Sequence, residues 1–299
     1  MGRMPIRRRL SAALRARVAG PDADERAARI WLAPGERRFA PTDPICRVHN
    51  HAGMYAGGLR ALLLQSLHPL AMAGVGEHSG YRGDPWGRLQ RTSEFIAMTT
   101  FGPVEDAQRM VDHINRVHGT VSGTAPDGRP YDARDPHLLT WVHVGEIDSF
   151  LTAYQRYSRT PLTPGEADTY VAQTGWAAGE LGVPDPPQTV ADLQSRLTAY
   201  RPELEVTDGA RDAASFLLRE PPLPWAARPG YWLLAAAAVS MLPDYARDLL
   251  GLRVGGPLDP VAERFVLRPA GRLGTAAVAW ALSEPTDARN SPESSAVGH

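Results

Sequence analysis

Lysine is absent from this chain, so all 32 of its basic side chains are arginine. That excludes Schiff-base catalysis and the lysine of a Walker-type phosphate loop. Cysteine is almost absent: Cys46 stands alone, which rules out a disulfide framework and a zinc site built on two or more thiolates. No charge of one sign is in excess, because 33 acidic residues balance the basic ones to a formal net charge of −1. A domain that grips nucleic acid through its phosphates carries a basic surplus, so no nucleic-acid partner is expected. Long hydrophobic runs are missing as well. The longest, over 231–242, is far shorter than the roughly 20 residues that span a bilayer, and reads as a buried helix. At the N-terminus Arg15 and Arg17 interrupt the apolar core that a secretory signal needs. The expectation is therefore a reduced, cytoplasmic protein with a flexible basic tail over 1–20 and no transmembrane segment. The polar, Pro/Ser-rich residues 284–299 are expected to be disordered.

Strand patterns are also scarce, whereas helix signals run the length of the chain. Residues 57–76 read as an apolar helix kinked or broken at Pro69, which removes a backbone donor. Asp84-Pro85 opens a second helix and residues 103–121 form a third, amphipathic one. The Pro-Asp-Gly of SGTAPDGRPYDA marks a turn and a small hairpin. Asp135-Pro136 then starts a long helix, and Thr163 with Glu166 forms a capping-box pattern at the head of the next. Further helices are expected near 190–200, 208–218, 230–241, 244–250 and 260–282. With short linkers and no internal repeat, the pattern predicts one irregular all-α domain over 21–283, with at most a small β-hairpin.

In such a protein the informative residues are polar ones on stripes that should face the core. His118 lies seven residues after Val111 and four after Ile114, on the stripe begun by Val104 and Ala107 and carried on through Val117 and Val121. His143 lies among Leu139, Val142, Ile147, Phe150 and Tyr154, with Glu146 and Asp148 close by. A single buried imidazole is ordinarily a satisfied core residue. Two on neighbouring helices shift the reading towards metal or cofactor ligands, and apolar surroundings suit a large flat cofactor. Arg88, Thr92 and Phe95 share a third helix face, with Arg91 beside them. By spacing alone that set reads better as a solvated face than as an anion or oxygen site. A carboxylate-bridged two-metal bundle is excluded, since no Glu is followed three residues later by His. HExxH, GxSxG and glycine-rich phosphate loops are absent too.

Several blocks, taken in order, resemble one family. AGGLRALLLQSLHPLAMAGVGEHSGYRGDPWGRLQRT, RVHGTVSG, DPHLLTWVH with DSF, and GYWLLAAAAVSMLPDYARDLLGL are similar to the MpaB and latex-clearing-protein family, the rubber-oxygenase catalytic domain, from about 46 to 282. The resemblance implies an all-α fold enclosing a b-type haem, with dioxygen as co-substrate. On that resemblance His118 matches the proximal iron ligand, and His143 is its rival or a second ligand. Arg88 and Thr92 match the distal-side Arg and Thr, with Arg88 and Arg91 as cofactor contacts. His78, next to Glu77, is nearest in order to a distal acid or base. Two departures separate the chain from rubber-active relatives. Asn115 and Ser122 stand where those relatives flank the ligand with arginines, and this N-terminus reads as lacking an export signal.

The implied function is a haem-dependent oxygenase acting on a small apolar molecule, an isoprenoid or a secondary metabolite, with an electron donor still to be identified. The alternative is a haem-binding sensor or carrier without turnover, and a third reading is a cofactor-free helical protein with buried structural histidines.

Overall fold

The computed structural model describes residues 22–78, 83–221, 223, 225, 228–253, 269 and 271–275. The expected tails over 1–20 and 284–299, and most of the helix expected over 260–282, lie outside them. The helices are α1 (Ala23–Ala27, continuing as a π-turn over Ala28–Leu32), α2 (Pro44–His49), α3 (Met54–Gln65) and α4 (Pro69–His78). They continue as α5 (Pro85–Phe101), α6 (Val104–His118), α7 (Pro136–Tyr157), α8 (Pro164–Glu180) and α9 (Val190–Ala199). A 3-10 turn (Arg201–Glu203), α10 (Asp208–Arg219), α11 (Arg228–Met241) and α12 (Asp244–Leu249) complete the series. The fold is all-α. Its one sheet among the described residues is a hairpin of β1 (Ser122–Thr124) and β2 (Pro130–Asp132), antiparallel with Gly123 opposite Tyr131. Gly128 turns it at a φ of 88°, a left-handed conformation that a side chain would strain. No described helix is long and apolar enough to cross a membrane.

Local chemistry sets most helix starts. Asp84 and Asp135 accept from the backbone N–H groups of Gly87 and His137, both at 2.9 Å, and each is followed by a proline whose missing N–H costs nothing there. Thr163 and Glu166 complete the capping box. The apolar run breaks where Pro69 cannot donate: α3 ends at Gln65 and α4 starts at Pro69. The stripe of α6 is narrower than its sequence suggests. Ala107 and Val111 are buried, but Val117 is 42% exposed. Six residues beyond Val111 it has turned about 240° round the helix, whereas His118, one residue further, returns to the buried side.

The core centres on α7, which is buried on nearly all sides. Helix α3 lies across it closely enough that a Cβ on Gly57 would stand 3.1 Å from both Phe150 Cδ1 and Ser149 O. At this crossing Arg60 donates to Asp148 Oδ2 and Ser149 Oγ, both at 2.6 Å, and to the Met241 carbonyl at 2.8 Å. Asp148 Oδ1 in turn accepts from Gln194 at 2.8 Å. The buried charge is thereby fully hydrogen-bonded and ties α3, α7, α9 and α11 together.

Candidate active site

A second face of α7 is left for something other than packing. Leu139, Val142, His143, Glu146, Ile147 and Phe150 recur at helical spacing and form one wall of a cavity. Helix α5 closes it with Phe95, Ile96, Thr99 and Thr100, and α8 with Gln173, Thr174, Trp176 and Ala177. His49 enters from α2 and His118 from the last turn of α6. The cavity itself amounts to about 120 Å³, within a wider recess of about 730 Å³ that includes open solvent.

The three imidazoles differ in what they touch. His49 is satisfied: Nδ1 lies 2.8 Å from Thr100 Oγ1 and Nε2 lies 3.3 Å from the Tyr170 hydroxyl. His118 Nδ1 and His143 Nε2 are buried with no hydrogen-bond partner. Leaving a buried polar atom unpaired costs about 1–3 kcal/mol, so two at one cavity call for a reason.

Burial also sets the charges. It pushes the His143 imidazolium down to about 4 and that of His49 to about 3, so both rings are neutral at pH 7. Burial lowers His118 as well, opposed by the nearby Asp132 carboxylate. It raises the Glu146 carboxyl to about 7, so the group can hold or release a proton near neutral pH. An apolar chamber with an unpartnered nitrogen on each of two neutral imidazoles and a carboxyl made weakly acidic by burial can take a Lewis-acidic centre and move a proton beside it.

His118 and His143, read from sequence as stripe histidines, come together at this cavity. Arg88, Arg91 and Thr92 do not line it. They lie towards the start of α5, where Arg91 and Thr92 are exposed and Arg91 pairs with the cap residue Asp84 at 3.2 Å. Thr99, two turns further along, takes the cavity-facing place, about 10 Å along the axis from Thr92. His78 ends α4, and its side chain lies outside what is described. Its neighbour Glu77 accepts from the Tyr131 hydroxyl at 2.5 Å, on the hairpin side. Sequence reading missed His49 as a cavity residue. Its helix carries the same Asp-Pro signal at Asp43-Pro44, although Asp43 accepts from Ala40 N–H at 2.9 Å instead of capping forward.

The fold and this cavity define an all-α protein with an internal apolar site furnished with neutral imidazoles. Residues 46–279 match the family described as ER-bound oxygenase mpaB/B'/Rubber oxygenase, catalytic domain, and the chain belongs to that family. Membership makes it an oxygenase-type oxidoreductase, with a cofactor and dioxygen implied. No curated protein and no solved structure matches the chain.

Haem is the cofactor that the family resemblance implies, and the donor set fits it. Each unpartnered nitrogen belongs to a neutral ring at a largely apolar wall. A neutral imidazole nitrogen with no other partner would be able to hold a haem iron there.

Proposed function

We propose that this protein is a haem-b-dependent oxygenase acting on a small apolar substrate, an isoprenoid or a secondary metabolite, with dioxygen as co-substrate. The observation that carries this reading is the pair of buried, unpartnered nitrogens, His118 Nδ1 and His143 Nε2, at one cavity. When bound, haem would supply the iron centre at which dioxygen is activated.

The chain's own residues do the rest. His118 or His143 would hold the haem iron through a ring nitrogen, and burial, which lowers the basicity of both rings, favours their neutral form. Phe95, Ile96, Leu139, Ile147 and Phe150 exclude water and bind the hydrocarbon part of the substrate. Glu146, whose carboxyl burial pushes up to about 7, can hold or release a proton inside the cavity. On the family resemblance alone, Arg88, Arg91 and Thr92, on the early turns of α5, and His78, at the end of α4, would act towards the cofactor.

A second reading has its own support. Because both nitrogens are unpartnered, both rings together would be able to hold the haem, as in a carrier or sensor. Protein produced with ample haem separates the two. The oxygenase reading expects a Soret band that carbon monoxide shifts in the reduced state, lost in either His118→Ala or His143→Ala but not in both. A band that carbon monoxide leaves unmoved, altered by both substitutions, selects the carrier. Haem-free protein ends both.

A further inference from the structure

We propose that His68, His137 and Glu203 form a binding site for a divalent transition-metal ion of the zinc class, separate from the cavity. The three residues come from different elements. His68 sits in the break between α3 and α4, His137 in the first turn of α7, and Glu203 at the end of the 3-10 turn. One potential ligand atom from each lies within 4.8 Å of the others. His68 Nε2 stands 3.5 Å from Glu203 Oε2, and His137 Nε2 stands 2.7 Å from the same oxygen.

The burial of these groups is uneven in an informative way. The His68 side chain is only 2% exposed, and its Nε2 makes no hydrogen bond. A nitrogen that has exchanged water for one long contact with a carboxylate has room for a closer ligand bond. His137 and Glu203 are about half-exposed, at 50% and 43%, so an ion can enter and keep a water.

The distances suit a small tetrahedral ion. Bonds of about 2.0–2.1 Å from zinc to nitrogen or oxygen place neighbouring donors about 3.3 Å apart. The His68–Glu203 separation already has that length, and the His137–Glu203 contact need open only slightly between two surface side chains. Two imidazoles and one carboxylate favour zinc, cobalt or nickel over magnesium or calcium, which take oxygen ligands.

The surroundings hold the ligands in place. The Tyr200 ring lies 4.6 Å from that of His137, and its hydroxyl donates to the His137 carbonyl at 2.7 Å. Trp141 flanks His68 at 6.2 Å between ring centroids. His68 Nδ1 accepts from Ala71 N–H over a long 3.4 Å, a weak contact that ligation through Nε2 would exchange for a protonated Nδ1. Arg129 is near enough to oppose positive charge at His68, but its guanidinium is engaged by Asp127 at 2.6 Å.

The test is titration of the full-length protein with Co²⁺, followed by its visible absorption, and with Zn²⁺ by equilibrium dialysis. The expected result is one ion per chain, with four-coordinate cobalt bands that Zn²⁺ displaces. His137→Ala and Glu203→Gln, both at the surface, should each weaken binding by about 100-fold or more. The pair His118→Leu with His143→Leu should leave it unchanged. Absence of stoichiometric binding, full affinity in both surface variants, or loss of binding only in the cavity pair would overturn the proposal.

Discussion

Helix α7 carries two sets of polar side chains on adjacent turns, Asp148 and Ser149 buried and His143 and Glu146 partly so, and they are built to opposite standards. Asp148 and Ser149 meet Arg60, and Asp148 also meets Gln194, so the ion pair at the α3 crossing has its hydrogen bonds. His143 and Glu146, on the cavity side, show the reverse: an unpartnered nitrogen and a carboxyl whose acidity burial has shifted. Both groups are costly to bury. Only the first recovers that cost within the protein, so it reads as structure and the second as function.

Asp148→Ala leaves the Arg60 guanidinium buried without its counter-charge and should destabilise the protein by about 3–5 kcal/mol in urea unfolding. The apolar pair Arg60→Met with Asp148→Leu should recover most of that loss, since neither charge then remains.

Glu146 gives the next largest effect, and it depends on pH. Its folded acidity is weakened from 4.5 to about 7, so the folded state holds the proton more tightly than the unfolded chain. The stability linked to that proton is complete below pH 4.5 and is lost as pH rises through 7. Glu146→Gln should therefore gain on the wild type across that window, by about 2–3 kcal/mol at its upper end, in melts recorded at several pH values. His143 has the opposite sign. With its folded value near 4 against 6.5, it favours unfolding as pH falls through that range, and His143→Leu should unfold less readily in acid.

Within the cavity itself, Thr100→Val takes away the partner of His49 Nδ1 and should cost about 1–3 kcal/mol. The smallest effect belongs to the unpartnered ring. In the haem-free protein at pH 7, His143→Leu should change stability by less than about 1 kcal/mol, in the stabilising direction, because it removes a polar atom that nothing satisfies.

These contrasts also explain which features could be read from sequence. Helix starts were legible because their causes are local: Asp84-Pro85, Asp135-Pro136 and the Thr163/Glu166 box act within four residues. Pro69 ended α3 for the same reason. The stripe rule brought His118 and His143 to one cavity, since the helical period carries that far. It placed Val117 wrongly, because an apolar residue need not lie on the apolar face.

Long-range pairing was invisible. His49 is fixed by Thr100 and Tyr170, 51 and 121 residues away, and His68 meets Glu203 across more than half the described chain. The Arg88 and Thr92 pair has the right period but lies two turns short of the wall that Thr99 and Thr100 form. Spacing gives the face of a helix and says nothing of where along it a cavity opens.

The most direct measurement is the haem content of three purified proteins grown with ample haem. They are the wild type, the cavity pair His118→Leu with His143→Leu, and the junction pair Arg60→Met with Asp148→Leu. The expected result is one iron protoporphyrin per chain in the wild type and the junction pair, and none in a folded cavity pair. Haem retained by the cavity pair, or absent from the wild type, would contradict the account.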